Sequence, residues 1–210
     1  MIKLKLCGMR REEDIRYINE YPPDNAGFIL SQGFRRSIGR DTFISLVSQL
    51  DKRIGRVGVF VDEPPENILQ YTEYLDVVQL HGSENAEYIA KLRNNCKCEI
   101  WKAVRAKCTD DIEAADKLDC DMLLIDSFSA KSVGGTGETA DLQVILNADF
   151  SKPYYIAGGL NADNIQSILD TLKAKPPVGA DLSSGIETDG CKDKNKIKQI
   201  YNILKKECLK

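Results

Sequence analysis

The chain has 210 residues, 42% hydrophobic and 29% charged, with a net charge of −3. That is an ordinary globular composition, long enough for one substantial core. The mild acidity and the absence of a basic block exclude a nucleic-acid backbone as partner, and no apolar run approaches the roughly 18 residues of a membrane span.

Met1-Ile2-Lys3-Leu4-Lys5 already reads as a strand and lacks the apolar core of a signal peptide. The seven cysteines, Cys7, Cys96, Cys98, Cys108, Cys120, Cys191 and Cys208, are odd in number. They have no metal-finger spacing, and Cys96-Lys97-Cys98 is too close for a C-x-x-C pair. Free thiols in a reducing compartment follow, so the expectation is a cytoplasmic protein without metal.

In chain order, apolar runs alternate with amphipathic stretches. Lys3-Leu4-Lys5-Leu6-Cys7 is a strand that stops at Gly8, followed by a helix from Arg11 to Glu20 that Tyr21-Pro22-Pro23 ends. The second strand, Ala26 to Leu30, leads through Gly33-Phe34-Arg35-Arg36 to a helix with Phe43, Leu46, Val47 and Leu50 at i, i+3, i+4, i+7. Strand three is Arg56 to Val61, and Pro64-Pro65 opens its helix, where a missing N–H costs little. Strand four, Asp76 to Leu80, precedes His81-Gly82, and Ser83 is the expected cap of the helix bearing Ile89.

Strand five spans Cys98 to Val104, with a helix from Asp110 to Leu118. Strand six, Met122 to Ile125, ends at Asp126, before a long loop whose Gly134-Gly135-Thr136-Gly137 suggests a lid. Strand seven, Tyr154 to Ala157, runs into Gly158-Gly159, and Asn161 is the expected cap of the helix bearing Ile165 and Ile168. Strand eight, Val178 to Leu182, ends at Ser183-Ser184-Gly185, and a last helix carries Ile197, Ile200 and Leu204.

Such alternation points to a parallel sheet covered by helices. An open doubly wound sheet is possible on the pattern. Eight strand–helix units in this length favour a compact (β/α)8 TIM barrel, one domain over residues 1–210.

In a barrel the C-terminal strand ends form the active face. Here they present Cys7, Ser31, Asp62, His81, Asp126, Gly158-Gly159 and Ser183-Ser184-Gly185. The last two loops are the pair that builds a barrel phosphate site, because glycines let backbone N–H groups approach the oxygens. Glycines of this kind can also serve turns alone. Cys7 is either core filler or a reactive thiol. Lys5 shares its face about 7 Å away and favours the thiolate. Asp126 is either a helix cap or a proton donor, its carboxyl partly desolvated after an apolar strand. Arg36 is either a solvated charge or a bidentate clamp for a carboxylate. His81, the only histidine, is either a packed turn residue or the one base a Ser/His/Asp triad could use, though no nucleophile elbow is present.

Together the strand ends resemble the phosphoribosylanthranilate isomerase family. The resemblance rests on Lys5-Leu6-Cys7-Gly8, Gly27-Phe28-Ile29-Leu30, Val57-Gly58-Val59-Phe60-Val61, Gln79-Leu80-His81-Gly82, Leu124-Ile125-Asp126-Ser127, Gly134-Gly135-Thr136-Gly137, Ala157-Gly158-Gly159-Leu160-Asn161 and Asp181-Leu182-Ser183-Ser184-Gly185-Ile186-Glu187. It implies a cofactor-free barrel performing an Amadori rearrangement on a phosphorylated small molecule, as a monomer or homodimer. By the same resemblance Asp126 is the general acid and Cys7 the general base. Arg36 holds the anthranilate carboxylate with Asp181 nearby, and Gly158, Gly159, Ser183, Ser184 and Gly185 hold the phosphate.

The chain departs from the family pattern at three places. Arg10 stands where Thr is common, Phe34-Arg35-Arg36 stands for Ser-Pro-Arg, and Ala162 stands for Pro. The second departure leaves Arg35 as the alternative carboxylate ligand. Two rival readings are the histidine-pathway isomerase, which places Asp at the first strand end, and a catalytically silent phosphate-binding barrel.

Overall fold

β1 (Lys3–Cys7) pairs in parallel with β2 (Asn25–Ile29), and each following strand pairs with the next: β3 (Gly55–Phe60), β4 (Val77–Leu80), β5 (Glu99–Arg105), β6 (Met122–Asp126), β7 (Tyr154–Ala157) and β8 (Gly179–Leu182). β8 returns to β1, so the sheet closes and leaves no edge. The computed structural model describes residues 2–126 and 138–205, and Gly134–Gly137 and Cys208 lie outside them.

Helices α1 (Glu12–Glu20), α2 (Arg40–Ser48), α3 (Pro65–Leu69), α4 (Ala86–Arg93), α5 (Thr109–Asp116), α6 (Glu138–Asn147), α7 (Ile165–Thr171) and α8 (Lys194–Lys205) follow the eight strands in turn. A two-stranded hairpin, β9 (Glu187–Thr188) with β10 (Cys191–Lys192), lies between β8 and α8.

The period-2 alternation of the strands separates two cores. Leu4, Leu6, Ile100, Val104, Leu123 and Ile125 face outward and pack on the helices. On α2 the stripe holds, with Phe43 and Leu46 buried and Phe43 meeting Phe28 edge-on at 5.3 Å between ring centroids. Cys7, Val57, Val59, Trp101, Leu124 and Tyr155 face inward. The Trp101 and Tyr155 rings lie 4.9 Å apart and fill the barrel, and Asn25 donates to the Tyr155 hydroxyl. Closure at the lower rim is tied by Asp24, which accepts from the Leu4 amide and pairs with Lys205 of the last helix at 2.6 Å.

Strand boundaries agree with the sequence reading to within a residue or two, and Pro64-Pro65 does open α3. Two caps differ. Asn85, not Ser83, caps α4 by accepting from the Tyr88 amide. Ser83 instead donates to the Asp62 carboxylate, which holds the turn away from the helix start. Asn161 acts one turn ahead of α7, where its side-chain oxygen accepts from the Asp163 and Asn164 amides. The six described cysteines are all free thiols, and Cys96, Cys98 and Cys120 are core filler.

Candidate active site

A cavity of about 560 Å³ opens at the C-terminal ends of the strands, within the size range of small-molecule sites. Inward-facing residues at these ends must line it, because each strand places its last inward side chain at the rim. Cys7 from β1, Gln79 and His81 from the end of β4, Arg105 from β5, Asp126 from β6 and Asp181 from β8 do so. Loops complete the wall with Phe34 and Arg36 after β2, Gly158 and Gly159 after β7, and Ser183 and Ser184 after β8.

Lys5 is fully buried, and its ammonium donates to Asp181 at 2.9 Å. The register requires this meeting, since Lys5 and Asp181 are direct neighbours across β1 and β8. Burial works against the Lys5 charge, but Asp181 and Cys7 outweigh it and raise its pKa. For Cys7, burial pushes the thiol up, Lys5 pulls it back and Asp181 pushes it up again; the net direction is upward. Lys5 therefore serves both neighbours, restraining the thiol while pairing with the carboxylate.

Room for the sulfur is made by Gly27, the neighbour of Cys7 on β2. A Cβ there would lie 2.7 Å from Sγ, closer than any real side chain permits.

Gly158 and Gly159 have φ of 95° and 60°, a conformation in which glycine avoids the Cβ penalty. Gly185 does not line the cavity. It sits where a Cβ would be 1.8 Å from the Leu160 carbonyl, so glycine here lets the loops after β7 and β8 lie against each other.

Arg36 lines the cavity and Arg35 does not. Both meet Glu187, a residue quoted in the β8 motif but given no role by the sequence. Arg36 donates to it through Nε at 2.6 Å and Nη2 at 2.7 Å, and Arg35 through Nη2 at 2.6 Å. Lys192 adds a third cation at 2.9 Å. Burial opposes the Glu187 charge, yet Arg36 and Lys192 hold its pKa down to about 2.

His81 is open to the cavity rather than packed into its turn. Desolvation among the strand ends, and then the Lys5 charge, lower its pKa. Its Nδ1 lies 3.0 Å from Gln79 Nε2. The Gln79 side-chain oxygen is buried without a hydrogen-bond partner among the described residues. Gln79, Arg105 and Phe34 also line the cavity and were not singled out in the sequence, whereas His81 was placed at the active face but given no role there. Period 2 counted back from a strand end is the signal that finds Gln79 and His81.

Among the described residues no helix is long and apolar enough to cross a membrane. Residues 4–203 match the N-(5'-phosphoribosyl)anthranilate (PRA) isomerase family. The N-(5'-phosphoribosyl)anthranilate isomerase of Thermoanaerobacter pseudethanolicus is 40% identical over 207 residues, 98% of each chain. The structure of the phosphoribosyl anthranilate isomerase of Thermotoga maritima is 32% identical, with a TM-score of 0.82 over 96% of this chain and 98% of that one. A further isomerase structure, in complex with reduced 1-(o-carboxyphenylamino)-1-deoxyribulose 5-phosphate, is 30% identical, with a TM-score of 0.77 over 96% and 97% of the two chains. A closed eight-stranded parallel barrel, a cavity at the C-terminal strand ends and relatives matched over nearly their whole length lead to one statement: the chain belongs to the N-(5'-phosphoribosyl)anthranilate isomerase family.

Proposed function

We propose that Asp126 and Cys7 are the general acid and base with which this isomerase turns N-(5-phosphoribosyl)anthranilate into 1-(2-carboxyphenylamino)-1-deoxyribulose 5-phosphate for tryptophan biosynthesis. The observation that carries the assignment is their convergence. β1 and β6 are three strands apart around the barrel, yet both side chains line one cavity.

The reaction needs one proton given and one taken. Asp126 protonates the furanose ring oxygen, the C1–O bond breaks and the nitrogen lone pair forms an iminium. That cation acidifies the C2 hydrogen. Cys7 removes it, the electron pair flows into the iminium, and the resulting enol-amine tautomerises to the ketone. Because burial raises the Cys7 pKa, Lys5 and the passing iminium are what favour the thiolate at the moment of transfer.

Polarity across the cavity supports one substrate orientation. The phosphate lies at Gly158, Gly159, Ser183 and Ser184, where backbone N–H groups can surround its oxygens. Gly185 contributes there by allowing the close approach of the two loops. The anthranilate ring lies at the β2 and β3 side, among Phe34, Ile29 and Val59, with its carboxylate on Arg36 and with Asp181 and Lys5 below. The free thiols suit a cytoplasmic barrel domain, and the T. maritima isomerase, a dimer, makes a homodimer the natural form to test.

The test follows anthranilate fluorescence after the substrate is formed in situ. Turnover is expected, with Arg36→Ala raising KM about tenfold or more, as for a lost charge-assisted contact. Absence of turnover with retained binding of the reduced product analogue overturns the catalytic assignment. A KM rise in Arg35→Ala but not in Arg36→Ala moves the carboxylate to the neighbouring arginine.

A further inference from the structure

We propose that Glu187 is a positioning residue that aims Arg36 at the substrate carboxylate. A guanidinium has five N–H donors in a rigid fork. Glu187 takes two of those on Arg36, one on Nε at 2.6 Å and one on Nη2 at 2.7 Å, which locks the plane of the group along one edge. The remaining donors, on Nη1 and Nη2, form the opposite edge, and Arg36 lines the cavity.

Glu187 is itself immobilised. Its Oε1 accepts from Arg36 and Lys192, and its Oε2 from Arg36 and Arg35. Lys192 faces it directly across the β9–β10 hairpin and also donates to the Ser183 carbonyl at 2.9 Å. Arg10 holds the hairpin turn through the Gly190 carbonyl at 2.7 Å. One carboxylate thus joins the arginine at the ring end of the cavity to the Ser183 loop at its phosphate end. A buried acid surrounded by three cations does more than close a hairpin. Without its charge Arg35, Arg36 and Lys192 repel one another, and Arg36 loses its bidentate anchor.

The inference rests on the proposal that Arg36 receives the carboxylate. The experiment compares Glu187→Gln, Arg36→Ala and the double variant. Each is assayed for kcat and KM on the substrate and for Kd toward the reduced product analogue and the same compound lacking the ring carboxylate. The expected result is a KM rise of about tenfold in Glu187→Gln with kcat within about twofold, the scale of one charge-assisted contact. Binding of the carboxylate-free compound should not change, and Arg36→Ala should absorb the effect in the double variant. An equal loss for both compounds, additivity with Arg36→Ala, or an unchanged KM overturns the proposal. If Arg36→Ala itself does not discriminate between the two compounds, the carboxylate assignment fails and takes this inference with it; if it does while Glu187→Gln does not, only the positioning role fails. Should Glu187→Gln not fold, Glu187→Asp keeps the charge, withdraws it by one methylene and carries the same comparison.

Discussion

Two of the buried lysine–carboxylate pairs, each with its lysine on a strand of the barrel wall, have the same length and opposite meaning. Lys5 meets Asp181 at 2.9 Å, and Lys102 meets Glu84 at 2.9 Å. Lys5 stands on an inward position of β1, two residues before Cys7, and its partner lines the cavity. Lys102 stands on an outward position of β5, between Ile100 and Val104, which pack on the helices. Its ammonium also donates to the Gly82 carbonyl, while Glu84 accepts from the amides of Asp62 and Gly82. The second pair anchors the loops after β3 and β4. The first places a charge beside the Cys7 thiol in the cavity wall. Chemistry and distance do not separate them; the parity of the strand position does.

The largest expected effects lie on the inward side. Cys7→Ala and Asp126→Asn should each lower kcat by about 10²-fold or more, the scale of lost acid–base catalysis. Near-wild-type turnover in either variant removes the functional half of the comparison.

The two lysines come next. Lys102→Met and Lys5→Met should each cost about 3–5 kcal/mol in denaturant unfolding, because a buried carboxylate loses its partner. Only Lys5→Met should alter the pH profile. Lys5 lowers the Cys7 pKa, so its removal raises it further and moves the rising limb of kcat/KM to higher pH. An identical limb in Lys5→Met and wild type would make Lys5 structural, like Lys102.

A smaller loss is expected from Gly27→Ala, whose Cβ would displace Sγ from its place. A kcat reduction of about tenfold, with KM little changed, is the signature of a misplaced base. Smallest is the acid response of Glu187. Its folded pKa of about 2 lies below the ordinary glutamate value of about 4.3. The stabilisation is therefore complete above that ordinary value and disappears as pH falls toward 2. Unfolding midpoints between pH 5 and pH 2 should fall less steeply in Glu187→Gln than in wild type.

Much of the cavity wall was legible from strand ends. Cys7, Asp126, Gly158 and Gly159 were singled out there and line it, because a barrel turns the last inward residue of each strand into a wall, whereas Asp181 entered only through the family resemblance. Glu187 was not, because it lies on a hairpin beyond β8, and its partners Arg35 and Arg36 are about 150 residues away along the chain. No local pattern announces a contact of that separation. Gly185 was read with the phosphate loop, and its requirement for glycine, the Leu160 carbonyl on a neighbouring loop, is a tertiary contact that no local pattern shows. His81 was left between a turn residue and a base because its proximity to Gln79 and the cavity depends on barrel closure.

What the sequence by itself determined was the alternation: eight apolar runs of strand length, each followed by an amphipathic segment, with polar and small residues where the runs stop. Periodicity is a local property, set by the geometry of strand and helix, so it is readable without coordinates. What only the tertiary structure decided was which charges meet. That Lys5 serves both Cys7 and Asp181 depends on the register with which β8 returns to β1, and which arginine lines the cavity and which carboxylate anchors it depend on how the loop after β2 meets the hairpin beyond β8. Electrostatic partners act over a few ångströms, and that closure alone brings residues from opposite ends of the chain within such reach.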